Sequence, residues 1–312
     1  MLYFLSENEK KKGNILMKNK QLFGSLLLVL TAMIWGTAFV FQRIGMEHIE
    51  PVTFTAVRMA VAAVFIGLFS KISDMKKNKD TKPQTDRKYT LSGGIFCGIF
   101  LSLASIAQQA GIVYTSAGKA GFITSLYILL VPVINLLIFR QKSSFRVWCG
   151  VILGIVGMYL LCVKEDFSLT YGDTMIAVCA LLFSGHILCC DRFSKKADPV
   201  KLSFIQFVTT AVISTAAALI METPTWEKII SAVIPLLYCG IVSGGIGYTL
   251  QMVAQKYTKP TIASLLMSLE SVFAVLAGAL ILGERMTLQE LLGCMIMFAA
   301  IVWVQIPLPK KK

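Results

Sequence analysis

Residues 257–285 read YTKPTIASLLMSLESVFAVLAGALILGER, and the apolar run 260–283 within them is interrupted by one carboxylate, Glu270. About 20 consecutive apolar residues are enough to cross the hydrocarbon core of a bilayer. A carboxylate near the middle of such a run is costly in lipid, so it is expected to face protein or water. The stretch therefore predicts a transmembrane helix with a buried carboxylate at mid-depth.

The same stretch occurs a second time, 143 positions earlier in the chain. The segment ends coincide without a gap, and Tyr127 then stands opposite Glu270. Repeats are informative about architecture, and duplicated halves in a membrane chain point to a transporter. The matched pairs include Gln108 with Gln251, Tyr114 with Tyr257, Ser125 with Ser268, and Gly150 with Gly293.

The composition is that of an integral membrane protein. Of 312 residues, 56% are hydrophobic and only 15% are charged, whereas soluble domains carry about 25% charged residues. The eight cysteines all lie in or at the edge of apolar segments. They are interpreted as small core residues rather than as disulfides or metal ligands, and no cofactor or metal is expected.

Ten apolar segments predict an all-α fold, because a lipid-exposed backbone must satisfy its own hydrogen bonds. Residues 22–163 form a first repeat of five helices, and 172–306 form a second. Basic tails, 1–21 and 307–312, flank them. The segments lie near 22–41, 51–70, 90–111, 117–139, 145–163, 172–190, 201–221, 229–250, 260–282 and 287–306.

The charges of the loops assign the two sides of the membrane. With the N-terminus in the cytosol, the cytosolic loops and tails hold 24 Lys and Arg residues and the outer loops hold five. This asymmetry predicts a multi-pass protein of the cell (inner) membrane with both termini cytosolic. It also accounts for the net charge of +13 without nucleic-acid binding, for which no basic helix or aromatic platform is present.

Five helices per half is an odd number, so the two halves enter the membrane from opposite sides. Inverted repeats place a substrate site near the bilayer midplane, between the halves. Met17 opens Met-Lys-Asn-Lys directly before the first run, which makes it a candidate natural start alongside Met1. The first run is longer than a typical signal-peptide core and lacks a small-residue cleavage site, so we do not expect it to be cleaved.

Five short motifs, spread from about residue 20 onward, resemble those of the drug/metabolite transporter superfamily, in particular its EamA-type members with ten helices. The resemblance implies two EamA repeats, a central cavity and carriage of small organic solutes. The motifs are Trp35-Gly36-Thr37-Ala38-Phe39, Pro51-Val52-Thr53-Phe54 with Arg58, Tyr114-Thr115-Ser116-Ala117, Ser268-Leu269-Glu270 and Gly283-Glu284-Arg285.

Two departures from the family pattern concern helix shape and a loop motif. Ser271 stands where the family often has Pro after the ninth-helix Glu, which weakens the expectation of a kink there. Pro132 offers a kink in the fourth helix instead. In the first half, Arg140-Gln141-Lys142 replaces the Gly-Glu-Arg motif.

Two charged residues are the first candidates for a substrate site. Glu270 is either a cavity-facing carboxylate that binds substrate or a proton, or a structural partner of another buried polar group. Arg58 is the one cation well inside an apolar segment. It contacts an anionic group of the substrate, pairs with Glu270, or snorkels to the cytosolic face.

Four uncharged residues complete the candidate substrate site. Gln108 and Gln251 recur at equivalent positions, which indicates a role shared by the halves, although hydrogen bonding between helices is the simpler reading of any single Gln. Trp35, beside Gly36, is the best aromatic candidate for a cavity wall. Tyr127 either lines the same apolar pocket or is a packing or interfacial residue. His186 alone does not make a metal site.

The sequence therefore favours a secondary transporter that exports small metabolites, such as amino acids or related amphipathic solutes. Its expected partners are the substrate and the lipid bilayer, in a monomer or a homodimer. Passive transport and exchange for protons are both open. No Gly-x-x-x-x-Gly-Lys-Ser/Thr loop occurs, so ATP hydrolysis is not expected. An intramembrane enzyme is disfavoured because no nucleophile–base pair or ligand cluster is evident, and a receptor or scaffold remains a further alternative.

Overall fold

The computed structural model describes residues 2–76, 86–114, 117–162, 170–283 and 286–306, which form helices and turns without a strand. The helices are α1 (Leu2–Gly45), α2 (Pro51–Lys76), α3 (Arg87–Ile112), α4 (Ala117–Ser125), α5 (Tyr127–Leu137), α6 (Phe145–Cys162), α7 (Tyr171–Ser194), α8 (Pro199–Met221), α9 (Trp226–Ser231), α10 (Val233–Leu237), a π-helix (Tyr238–Tyr248), α11 (Thr249–Gln255), α12 (Pro260–Met267), α13 (Glu270–Leu282) and α14 (Leu288–Gln305).

Within the described ranges, each of the ten predicted segments corresponds to a helix or to a consecutive set of helices. Among the described residues, nine spans are long and apolar enough to cross a membrane, and the apolar helix Phe145–Leu161 is shorter. The predicted all-α fold of two five-helix repeats is confirmed, and the protein is a multi-pass membrane protein. The largest difference in a boundary is at the start, where the sequence predicted a tail over 1–21 but α1 already begins at Leu2, with its apolar span from Asn19. Several helices also end four to six residues later than predicted, namely α2 at Lys76, α7 at Ser194 and α11 at Gln255. The C-terminal tail 307–312 and the pair Glu284-Arg285 lie outside the described residues.

The fourth and ninth crossings are each interrupted near the middle, at equivalent positions of the two repeats. The first interruption is at Leu126 (φ −59°, ψ −11°) and the second ends at Leu269 (φ −59°, ψ −13°). The amide of each leucine donates to the carbonyl three residues earlier, which is the tighter 3₁₀ pattern. The ninth crossing thus breaks without a proline, and the fourth breaks six residues before Pro132 rather than at it.

The two repeats interdigitate, because the main helix pairs join one repeat to the other. Helix α3 packs against α7 and α8, α2 against α8, α6 against α14, and α1 against α13. The interior of the bundle is therefore an interface between repeats. The last residue of α7, Ser194, and the first residue of α8, Pro199, lie at the same end of the bundle. We call this end the α7–α8 end. The charges of the loops predict that it is cytosolic.

At the opposite end, acidic side chains join the start of α2 to the second repeat. The Glu222 carboxylate, just after α8, accepts hydrogen bonds from the amides of Val52 and Thr53 at 2.9 and 2.7 Å. It thereby caps the free amides at the start of α2. Nearby, Lys228 donates to Glu50, and this hydrogen bond holds the pKa of Glu50 below its ordinary value.

Candidate functional site

A small cavity lies inside the bundle, between the two repeats. Its volume is about 40 Å³. Since one buried water needs about 10–15 Å³ of such space, the cavity has room for about three water molecules. All six residues that the sequence singled out face it. The lining residues are Trp35, Phe39, Gln42, Arg58, Gln108, Thr124, Tyr127, Phe183, His186, Ile187, Ser243, Tyr248, Gln251 and Glu270.

Glu270 opens α13 and is held by the first repeat. Its Oε1 accepts a hydrogen bond from the Tyr127 hydroxyl at 2.8 Å and from the Ser125 hydroxyl at 3.2 Å. The carboxylate is 4% exposed, and Oε2 has no donor among the described residues. One oxygen is thus fixed, while the other is left available to the cavity.

Tyr127 and Glu270 are the equivalent residues of the two repeats, 143 positions apart. Their direct contact means that the symmetry axis relating the repeats passes close to this hydrogen bond. The two helix interruptions lie beside it, because Leu126 immediately precedes Tyr127 and Leu269 immediately precedes Glu270. The bond therefore joins the starts of α5 and α13.

Gly36 allows α1 to reach this point. A Cβ atom added at Gly36 would lie 2.5 Å from the Glu270 carbonyl oxygen and 2.7 Å from the Ala274 amide nitrogen. Both neighbours are backbone atoms of a packed helix, which cannot move aside cheaply. Packing therefore explains the glycine next to Trp35. Gly36 lets α1 lie directly against α13, and this close contact places Trp35 at the cavity.

Trp35 is held in place by the π-helix. Its indole Nε1 donates to the Ser243 carbonyl at 3.2 Å, and its ring centroid lies 4.6 Å from that of Tyr248. The sequence predicted an ordinary α-helix over 229–250. The structure has a π-helix instead, a form often found at functional sites, and it directs a backbone carbonyl towards α1.

Arg58 is a buried cation of α2 without an anionic partner. It is 4% exposed, its Cζ lies 5.7 Å from the centroid of the Phe54 ring, and its Nε has no hydrogen-bond partner among the residues that the structure describes. No ion pair joins it to Glu270 or to any other carboxylate in the described part of the chain. Of the alternatives that the sequence left open, pairing with Glu270 is therefore not realised.

Gln108 and Gln251, the other equivalent pair, also face the same cavity. Gln108 donates from Nε2 to the Thr124 hydroxyl at 3.3 Å. Gln251 is fully buried, and neither atom of its amide has a hydrogen-bond partner among the residues described. The cavity wall therefore has two amides, one of them unsatisfied, in addition to the charged groups of Arg58 and Glu270.

Sequence reasoning missed several lining residues and also missed Ser125, which holds Glu270 without lining the cavity itself. Ser125 touches Glu270 and also lies 3.0 Å from the Ser271 hydroxyl, and its match to Ser268 in the repeat could have indicated it. Gln42, Thr124 and Phe183 carry no such signal. Over the described residues, no group of three or more His, Cys, Asp or Glu side chains could hold a metal ion.

The EamA-like transporter family matches residues 22–163 and 170–306 of the chain. An uncharacterized transporter of Archaeoglobus fulgidus is 31% identical over 287 residues, covering 92% of this chain and 87% of that protein. The uncharacterized transporter YoaV of Bacillus subtilis is 22% identical over 279 residues, covering 88% of this chain and 94% of its own. A solved crystal structure superimposes with a TM-score of 0.71 at 16% identity and covers 89% of this chain and 95% of its own. Because the family match spans both repeats, the chain belongs to the EamA-like transporter family and is a membrane transporter.

Proposed function

We propose that this transporter exports small metabolites, such as amino acids or related amphipathic solutes, and that the solute binds in the central cavity. The observation that carries the proposal is a buried cation, Arg58, and a buried carboxylate, Glu270, that face one cavity without pairing. Ionisable groups inside a membrane protein are costly and tend to serve its function. A solute with both charges would compensate the two of them at once.

The chemistry of the walls fits an amphipathic zwitterion. The planar guanidinium of Arg58 suits a carboxylate, and Oε2 of Glu270 is free to accept a hydrogen bond from an ammonium group. Trp35 and Tyr248 offer an apolar surface, to which a cation also binds favourably. In this proposal Gln108 and Gln251 fix the orientation of the solute through hydrogen bonds.

The size of the cavity supports alternating access. Room for about three water molecules is too little for an amino acid, so the solute must enter a wider form of the same site. We propose that the two repeats rock about the site and expose it to each side in turn, as inverted repeats do. The solute then crosses chemically unchanged, without an enzymatic step.

The remaining features of the proposal extend the expectations drawn from the sequence. The protein lies in the cell membrane with both termini in the cytosol, and it moves solute outward. Protons are the proposed coupling ion, with Glu270 as the group that carries them. It functions as a monomer or a homodimer.

Flux in proteoliposomes tests the proposal. Vesicles with the purified protein are loaded with unlabelled amino acids and supplied outside with a mixture of radiolabelled standard L-amino acids. We expect faster uptake than in protein-free vesicles. The rate of uptake should fall on the order of ten-fold or more in Arg58→Gln and in Glu270→Gln, because each variant removes the buried charge that would contact the opposite charge of the solute. Glu227→Gln, at an exposed carboxylate, is the matched control.

A second measurement covers solutes other than the standard amino acids. Metabolites that accumulate outside overexpressing cells, but not outside deletion cells, are tested for their effect on the thermal stability of the purified protein. A bound solute should raise the melting temperature of the wild type and not that of Arg58→Gln. If no solute moves through the vesicles and none protects the wild type, the proposal is wrong.

A further inference from the structure

A second set of buried polar groups leaves the cavity and continues towards the α7–α8 end. His186 and Gln251 belong to the cavity wall. From them, helices α7, α8 and α11, which contact one another, each carry polar residues at helical spacing. We call these residues the polar seam: His186, Cys190 and Ser194 of α7, Ser203 and Gln206 of α8, and Gln255 of α11.

The seam lies on one face of each helix and joins them. On α7 its residues follow at intervals of four, so they share a face, and they extend over about 12 Å of helix. His186 Nε2 lies 3.0 Å from Gln206 Oε1 and 3.4 Å from the Cys190 sulfur. Gln255 donates to the Ile187 carbonyl at 3.0 Å, which ties α11 to α7.

The seam is closed and only partly satisfied. All six residues are 0% exposed. Four of their polar atoms have no hydrogen-bond partner within the described part of the chain: Ser194 Oγ, Ser203 Oγ, Gln206 Nε2 and Gln255 Oε1. Polar residues that merely hold helices together in a membrane do so by bonding across the interface, and these four atoms do not.

We propose that the polar seam is the closed half of the solute route, which fills with water when the cavity opens towards the α7–α8 end. This inference rests on the proposed transport function. Buried polar groups are normally satisfied by protein or water, so groups that are orphaned in a closed state fit a place that is wet in another state. Water needs two to four polar partners in such a place, and the unpartnered atoms of the seam can supply them.

The native thiol of Cys190 reports hydration of the seam without any knowledge of the solute. Only the thiolate reacts, and it forms in water rather than in an apolar core. The Cys189→Ala variant is used so that Cys190 has no neighbouring thiol in the chain. Inside-out membrane vesicles that carry this variant are treated with the charged trimethylammonium-ethyl methanethiosulfonate reagent. We expect Cys190 to be modified at a rate on the order of ten-fold above that of Cys294, a thiol of α14 that is 6% exposed.

A matched pair of serines on α8 gives the control. Ser203 and Ser214 are both 0% exposed with unpartnered hydroxyls, and they lie about 16 Å apart along the helix. Only Ser203 belongs to the seam. The reagent should therefore modify Ser203→Cys from the α7–α8 end and leave Ser214→Cys unmodified.

An apolar substitution separates a route from simple packing. The Gln255 amide is half satisfied, because its Nε2 donates to the Ile187 carbonyl and its Oε1 has no partner among the described residues. In Gln255→Leu that hydrogen bond is lost, so we expect a lower melting temperature. A loosened packing contact alone would leave Cys190 modification unchanged or faster, whereas a hydrated route predicts a loss on the order of ten-fold in its rate, because an apolar group replaces a water partner.

Two results would overturn the proposal that the polar seam fills with water. One is modification of Cys190 and Ser203→Cys no faster than that of Cys294 and Ser214→Cys. The other is unchanged or faster Cys190 modification in Gln255→Leu. Because the labelling needs no substrate, vesicles that label at Cys190 but carry no solute would support the hydrated seam and refute the transport proposal. Vesicles that carry solute without labelling would refute the seam alone.

Discussion

The hydrogen bond from Tyr127 to Glu270 is the contact whose strength we predict most directly. Its length is 2.8 Å, and the two residues are 3% and 4% exposed. A hydrogen bond to a charged group contributes about 1.5–3 kcal/mol, whereas neutral side-chain bonds inside membranes average about 0.6 kcal/mol. Tyr127→Phe removes only the phenolic hydroxyl, so its effect on the free energy of unfolding measures the contribution of this hydrogen bond.

With an ionised Glu270, Tyr127→Phe should lower the free energy of unfolding by about 2 kcal/mol, or about 30-fold in the equilibrium constant. In a Glu270→Gln background the same change should cost only about 0.6 kcal/mol, because the acceptor is then neutral. The free energies come from reversible unfolding in mixed micelles by titration with dodecyl sulfate, followed by circular dichroism. The difference between the two backgrounds reports the charge on Glu270.

Tyr159→Phe is the matched control for this measurement. Tyr159 is 46% exposed, its ring packs against Phe122, and its hydroxyl has no hydrogen-bond partner among the described residues. Loss of that hydroxyl should leave the free energy of unfolding nearly unchanged. The reasoning fails if Tyr127→Phe costs no more than Tyr159→Phe, or if its cost is the same in both backgrounds.

Three further predictions concern the neighbourhood of the site and the far end of α2. Gly36→Ala should lower the free energy of unfolding by about 1–3 kcal/mol through overpacking against Glu270. Gly121→Ala is the control and should be tolerated, because an added Cβ there meets nothing within 4 Å. Equal melting temperatures of the two variants would contradict this prediction. Glu222→Ala should cost about 1 kcal/mol because it uncaps α2, and an unfolding titration that shows the same loss in Glu227→Ala would argue against a capping role. Glu270→Gln should abolish the dependence of proteoliposome flux on the pH gradient if protons are carried by this group, and unchanged gradient-driven flux would remove that role.

Much of the candidate site was predictable because few polar residues interrupt the apolar segments. A buried polar group in a membrane helix turns towards protein or water rather than lipid, so Glu270, Gln108 and Gln251 were expected to face inward. The inverted repeat placed the substrate site between the halves, and the recurrence of Gln108 at Gln251 indicated a role that the halves share. Their convergence on one cavity agrees with that expectation, while their role in binding stays a prediction.

Other features depended on contacts that the sequence does not display. Neither Leu126 nor Leu269 is a residue that breaks helices, and the interruptions arise from 3₁₀ bonds aided by side chains such as the Ser268 hydroxyl, which donates to the Leu265 carbonyl at 2.8 Å. The π-helix likewise depends on packing against α1 and α2. Whether Arg58 pairs with Glu270 was decided by the tertiary structure alone.

The meeting of Tyr127 and Glu270 limits how alike the two halves can be. In a perfectly symmetric pair of halves, this position would face its own copy. Two glutamates there would repel each other, and one would have to hold a proton permanently. Two tyrosines would leave no anion. A phenol opposite a carboxylate satisfies both partners, so a single negative charge at the centre of the molecule requires that the halves differ at this position.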